Sequence, residues 1–211
     1  GGISPMLEGE EGDAGGLEGF VGGDRTTIAL PAIQTEVMKR LNLLGKSLIF
    51  ICMSGGAMSF NWEVENLPVI IQAWYGGQST GTALADILFG RYNPSGKLPV
   101  TFYHSDADLP PIKDYSMSNR TYRYFGGDVL YPFGYGLSYT SFKYKKLECP
   151  SEVQIGDTLN VKVEVSNTGK FAGEEVVQLY LSHKAIAQEA PLCQLVPVSY
   201  THLTLPTILL V

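Results

Sequence analysis

Cysteine is scarce: Cys52, Cys149 and Cys193 are the three among 211 residues. An odd number at such wide spacing forms neither a disulfide framework nor a C-x-x-C metal pattern. His104, His183 and His202 are equally scattered, so no metal site is expected from these residues. Basic charge is also short, with 15 Lys and Arg against 21 Asp and Glu. Residues 1–24 carry six of the acids (Glu8, Glu10, Glu11, Asp13, Glu18, Asp24) and no base, and the remainder is neutral. No basic stripe is available for a nucleic-acid partner, which excludes that class. No apolar run approaches the roughly 20 residues of a membrane-crossing helix, so no membrane partner is expected either. The chain opens on Gly1 with neither a Met nor a signal-peptide pattern, and reads as the middle of a longer sequence.

Apolar residues, by contrast, make up 45% of the chain, enough for a packed core. A prior of about 100–200 residues per domain gives one domain or two small ones. Nine glycines within residues 1–23 predict an irregular loop. From Leu30, the positions Leu30, Ile33, Val37, Leu41 and Leu44 form a helical stripe, with Pro31 suited to its first turn and Gly45 to its stop. Residues 47–53 read as a short, fully buried strand, followed by Ser54-Gly55-Gly56. Residues 69–74 are strand-like and end at Gly76-Gly77, and residues 80–89 then read as a helix capped by Gly90. Helix, buried strand, connector, buried strand, helix predicts an α/β layer with a parallel sheet.

Residues 104–142, rich in Pro, Tyr, Asp and Gly, predict a long ordered connector with its aromatics laid against the neighbouring layer. Beyond Phe142 the pattern alternates. Leu159, Val161, Val163 and Val165 face one way, Asn167-Thr168-Gly169 makes a turn, and residues 176–181 give another strand. This is the opening of a β-sandwich, with about three strands visible where such a fold needs about seven. Residues 197–211 hold no Asp, Glu, Lys or Arg and resemble a translated sequencing adapter, so they are set aside as a non-native tail.

Ser54 lacks the first glycine of G-x-S-x-G, because Cys52 stands there, which argues against a serine hydrolase. The glycine turns carry neither G-K-[ST] nor G-x-G-x-x-G, so a phosphate cradle is unsupported. Trp74 and Tyr75 could stack on a sugar face, or pack at a strand end. Leu7-Glu8-Gly9-Glu10-Glu11 places three carboxylates in a glycine-rich segment. Clustered like charges disfavour ionisation, and a carboxyl that keeps its proton suits a general acid. The competing reading is a solvated acidic loop.

Three stretches carry a resemblance. Trp74-Tyr75-Gly76-Gly77-Gln78, with Ala83-Leu84-Ala85-Asp86-Ile87-Leu88-Phe89-Gly90 and Asn93-Pro94-Ser95-Gly96-Lys97-Leu98-Pro99-Val100-Thr101-Phe102, resembles the α/β-sandwich domain of glycoside hydrolase family 3. Arg123-Tyr124-Phe125 and Tyr131-Pro132-Phe133-Gly134-Tyr135-Gly136-Leu137-Ser138-Tyr139-Thr140 resemble that family's link into its last domain. Residues 161–167 and 173–180 are similar to its fibronectin type III-like domain. The resemblance covers roughly residues 1–195. It implies a partial α/β sandwich (1–125), a linker (126–142) and a truncated fibronectin type III-like β-sandwich (143–195).

The resemblance also implies retaining hydrolysis of small β-linked saccharides from the non-reducing end, xylosides ahead of glucosides, without metal or organic cofactor. Members often work outside the cytoplasm, in the periplasm or secreted. The nucleophile aspartate is expected on an N-terminal (β/α)8 barrel, a partner that this sequence does not contain. The acid/base role falls on Glu8, with Glu10 and Glu11 as rivals, and Asp24-Arg25 is expected to brace the base of their loop. The alternative is a non-catalytic carbohydrate-binding or scaffolding module, which has no need of Glu8 in a glycine-rich segment.

Overall fold

A computed structural model describes residues 18–21, 24–154, 156–182, 190–203 and 208–210. It is mixed α/β and divides into two compact units, Gly1–Thr80 with Pro99–Phe133 and Ile186–Leu192, and Gly81–Leu98 with Gly134–Ala185 and Cys193–Val211. Among the described residues no helix is long and apolar enough to cross a membrane.

In the first unit, β1 (Phe20–Val21) pairs antiparallel with β2 (Asp24–Arg25), and the chain enters helix α1 (Ala32–Asn42). Pro31 is the N-cap, where its missing N–H would have been unpaired in any case. Lys39 and Arg40 complement the dipole of the last turn, and Gly45 takes φ +67 just beyond it. The predicted stripe is helical but lies open. Ile33, Val37, Leu41 and Leu44 are 42–68% exposed.

Strands β3 (Ile49–Cys52) and β4 (Val69–Gln72) pair in parallel, Ile49 with Val69 through Cys52 with Gln72, with α2 (Asn61–Asn66) between them in sequence. The parallel pairing follows the sequence pattern. The expected full burial of residues 47–53 does not: of β3 only Cys52 is buried, and Ile49 is 43% exposed. A sheet with two described strands leaves two edges uncovered, so periodicity alone overstates burial here.

The core of this unit is aromatic. Phe60 meets Phe50, Phe102 and Tyr131 with ring centroids 5.6, 5.9 and 6.3 Å apart, and Phe102 is fully buried. The connector from residue 104 is ordered, as expected. A 3-10 turn (Asp106–Asp108) carries a capping box on Ser105, and α4 (Thr121–Tyr124; α3 belongs to the second unit) follows. Tyr122 stacks on Phe133 at 4.2 Å, and Tyr103 meets Phe125 edge-on at 5.0 Å.

The second unit holds α3 (Thr80–Leu88), closed by Gly90 at φ +71, and, among the described residues, five strands where the sequence shows about three. Strand β5 (Phe142–Glu148) pairs antiparallel with β6 (Lys162–Asn167), β6 with β9 (Ile208–Leu210), and β7 (Gly173–Leu181) with β8 (Gln194–Leu203). Strands β8 and β9 escaped the sequence reading because they fall largely in residues 197–211, which it sets aside as a non-native tail, and β5 because three of its seven residues are lysine. Val165 and Val177 form a small core with Phe142 and Val163 packed against it. The Asn167 turn closes on its own side chain. Oδ1 accepts from Gly169 N and Thr140 Oγ1 at 3.0 and 2.7 Å, while Nδ2 donates to Phe171 O at 2.8 Å.

Candidate functional site

Glu8, Glu10 and Glu11 lie outside the described residues. The described segment begins at Glu18, on the C-terminal side of these residues. Arg25 stacks its guanidinium over the Phe20 ring at 5.1 Å, and Thr26 N donates to Gly19 O at 2.9 Å. The strand pair Phe20–Val21 with Asp24–Arg25 joins residues that both lie on the C-terminal side of the acidic stretch. Next along the chain, Thr27 Oγ1 and Ile28 N donate to the two oxygens of Asp106, at 2.5 and 2.8 Å. One carboxylate so anchors the segment that leaves the acidic loop.

In parallel sheets, ligand crevices lie outside the carboxyl ends of the strands. Here that place is built by Cys52, Ser54 and Gln72. Ser54 is 4% exposed, and its hydroxyl donates to Gly56 O at 2.8 Å and accepts from Gln72 Nε2 at 3.2 Å. Cys52 Sγ stands 3.5 Å from the same oxygen. A serine whose proton is committed to a carbonyl, without a base beside it, is a turn residue rather than a nucleophile. Gln72 Oε1 is buried without a hydrogen-bond partner.

The structure separates the two aromatics that the sequence leaves together. Trp74 takes φ +53, an uncommon value for a bulky residue, and its ring meets buried Phe102 edge-on at 6.3 Å. Tyr75 is 47% exposed, with its ring laid against Gly55, where a Cβ would come within 2.6 Å of Cε2. Gly55 is therefore glycine because Tyr75 lies on it. Gly76 answers Thr80 in the same way: a Cβ there would stand 1.9 Å from Thr80 Oγ1, which donates to Gly77 O at 2.7 Å.

Two further groups gave no motif in the sequence. Glu63 on α2 is fully buried; Oε1 accepts from Thr35 Oγ1 at 2.6 Å and Oε2 has no partner. Only its place in an amphipathic helix could have flagged it. His104 Nδ1 lies 2.7 Å from Asn61 Oδ1, and its Nε2 is 3.5 Å from Asp128 Oδ2. Asn61 Nδ2 donates to His104 O at 2.8 Å, which aims Oδ1 at the ring and places the proton on Nδ1. The partners come from three separate stretches of sequence, so no spacing rule could link them. Among the described residues no cluster of His, Cys, Asp and Glu could hold a metal ion.

The most distinctive motif, Asn93 to Lys97, works as a fastening within the second unit. Asn93 Oδ1 accepts from Ser138 Oγ and Tyr139 N at 2.9 and 2.7 Å, and Nδ2 donates to Ala172 O at 2.9 Å. Ser95 Oγ and Tyr92 OH both donate to Glu174 Oε2, at 3.1 and 2.9 Å. Lys97 Nζ donates to Gly136 O at 3.1 Å and pairs with Glu175 Oε2 at 3.3 Å. Glu175 Oε1 accepts from Tyr144 OH at 2.7 Å; burial first, and then this bond, push the phenol well above its ordinary range.

Comparison with known proteins places these features. Residues 2–139 match the glycosyl hydrolase family 3 C-terminal domain. A xylan 1,4-β-xylosidase from Xylanibacter ruminicola is 52% identical over 181 residues, which is 86% of this chain and 21% of that protein. Among solved structures, a β-glucosidase from Erythrobacter marinus superposes with TM-score 0.78 at 37% identity, covering 90% of this chain and 25% of that one. A mutant β-glucosidase from Listeria innocua in complex with laminaribiose gives TM-score 0.79 at 27% identity, covering 96% and 29%. The chain thus spans between a fifth and a third of the length of these relatives.

Proposed function

The chain belongs to glycosyl hydrolase family 3, and on that premise we propose that it supplies the acid/base half of a retaining β-glycosidase. The 52% identity with a β-xylosidase over 86% of the chain carries this reading and favours xylosides over glucosides. In this reading residues 1–125 are part of an α/β sandwich bearing the acidic loop, 126–142 a linker, and 143–195 a truncated fibronectin type III-like β-sandwich. The parallel β3–β4 pair and the antiparallel strands after Phe142 support that division. Residues 197–211, read from sequence as a non-native tail, contribute to β8 and β9, which pair with β7 and β6.

Retaining hydrolysis needs two carboxyl groups about 5–5.5 Å apart. An aspartate on an N-terminal barrel attacks the anomeric carbon of the terminal sugar. Glu8, protonated, gives its proton to the departing glycosidic oxygen as that bond breaks. The Glu8 carboxylate then takes a proton from water, whose oxygen displaces the aspartate and releases the sugar with its configuration retained. The Phe20–Arg25 pairing and the Asp106 anchor hold the segment that follows the acidic stretch, which supports a positioned acid. Glu10 and Glu11 remain rivals for the role.

The test is Glu8→Gln, made in a full-length enzyme in which this chain replaces the matching segment of the Xylanibacter ruminicola β-xylosidase. Turnover is measured on two aryl β-xylosides. A poor leaving group needs the proton and should lose about 100- to 10,000-fold; a good one should lose far less and be rescued by azide. A small loss on both passes the role to Glu10 or Glu11. An intact parent whose chimera folds but binds sugar without turnover favours the binding-module alternative.

A further inference from the structure

The loop between residues 110 and 121, in the first unit, is both exposed and fixed. Arg120 holds three of its carbonyls: Nη2 donates to Pro111 O and Asp114 O at 3.0 and 2.6 Å, and Nε to Ser116 O at 3.2 Å. Asp114 adds a turn of its own, its Oδ1 accepting from Ser116 N at 2.9 Å and its N donating to Pro111 O at 2.9 Å. Asn119 and Thr121 flank Arg120 with φ of 56 each, a left-handed value that a β-branched threonine rarely adopts. Tyr103 OH accepts from Thr121 N at 3.0 Å and holds it there. On this frame Ile112, Tyr115 and Met117 are 90, 94 and 47% exposed.

A loop locked by an arginine fork and a strained threonine has its ordering entropy removed before any partner arrives, which is how a binding surface gains affinity. The side chains it presents identify the kind of partner. A sugar-stacking floor needs an aromatic ring with one face backed by protein, as Tyr75 is backed by Gly55. Tyr115, at 94% exposure, has neither face backed. A free-standing tyrosine between two aliphatic side chains suits insertion into a protein pocket, where buried aromatic anchors carry most of the binding energy. The source of such a pocket is indicated by length, since the closely similar β-xylosidase has about four-fifths of its chain outside the stretch matched here.

We propose that Ile112, Tyr115 and Met117 form a pre-shaped plug that docks into the remainder of the same polypeptide, fastening the first unit to it. This rests on the family reading only in requiring a longer polypeptide around the segment. Arg120 is the positioning residue: it touches no partner itself and sets the height of the plug.

Hydroxyl-radical footprinting of the same full-length chimera, read by mass spectrometry at several dilutions, tests it without any substitution. Tyr115 should oxidise about tenfold more slowly than Tyr92, reversing the order of their exposures here (94 and 48%), because a docked anchor is shielded from water. Ile112→Arg with Tyr115→Arg should then lower Tm by several degrees, while Tyr115→Phe should not. Tyr115 oxidising faster than Tyr92 overturns the plug. Protection that vanishes on dilution overturns it too, since the occupant is then a second copy. Footprinting needs no turnover, so a protected Tyr115 in an inactive chimera fails the catalytic reading alone, and a freely oxidised Tyr115 in an active one fails the plug alone.

Discussion

Asp114 shows how a loop can depend on one carboxylate. Its hydrogen bonds with Ser116, from backbone and then side chain, hold its pKa below the ordinary value, and the Arg120 charge adds to this. A depressed folded-state pKa means that ionised Asp114 favours the native loop. That contribution is complete above the ordinary carboxylate range and is lost as pH falls through the depressed value. The amide nitrogen shift of Ser116 should therefore titrate with a midpoint below 3.8 and follow no group of higher pKa. A midpoint at or above the ordinary aspartate value would show that the turn is not closed in solution. Nothing in the stretch Lys113-Asp114-Tyr115-Ser116 announces this, because the acceptors of Arg120 are main-chain carbonyls, which carry no sequence signal. The split between Trp74 and Tyr75 was equally illegible. Both are aromatic at a strand end, and only the left-handed φ of Trp74 sends one ring inward and leaves the other on Gly55.

At the scale of elements, type was legible and burial was not. The helical stripe of α1, the parallel pair β3–β4, helix α3 and the alternation of β6 follow from periodicity, which reports a local conformation. Burial depends on what lies opposite, and the open faces of α1 and β3 show that periodicity cannot supply it. Sequence motifs fared differently again. Asn93-Pro94-Ser95-Gly96-Lys97 carries part of the family resemblance, and its side chains are spent on Glu174, Glu175, Ser138 and Gly136. The Lys97–Glu175 pair is mostly shielded, with 16 and 12% of the side chains exposed. Lys97→Met should therefore cost about 2–3 kcal/mol, less than the 3–5 of a fully buried pair, because Glu175 is left without its cation. In thermal unfolding, adding Glu175→Gln should restore part of the loss, since the stranded charge is then gone. A single-variant Tm within a degree of the parent would mean that the pair contributes nothing and that the motif's role lies elsewhere.

For the molecule as a whole, the uncovered edges and faces bear on what these 211 residues can do by themselves. Strands β3 and β4 pair only with each other among the described residues, so each has an outer edge with no described strand beside it. Ile33 on helix α1 and Leu43 and Leu44 just beyond it are 68, 86 and 68% exposed, and the first unit adds Ile112 and Tyr115. Apolar surface of this extent is met in proteins that associate. The acid/base candidate lies within the chain, and the nucleophile, on the family reading, does not. Purified alone, the chain should therefore release no aryl alcohol from aryl β-xylosides or β-glucosides above the buffer rate. In sedimentation velocity it should show mass that rises with concentration, since unpaired edges and open apolar faces find one another. Both outcomes follow from the proposed reading, in which a longer polypeptide supplies the covering elements and the catalytic partner. They fail separately. Measurable turnover would place a nucleophile within these residues and remove the need for a barrel aspartate. A concentration-independent monomer would show that the β3 and β4 edges and the α1 stripe are tolerated in water, and would weaken the case that they are interfaces.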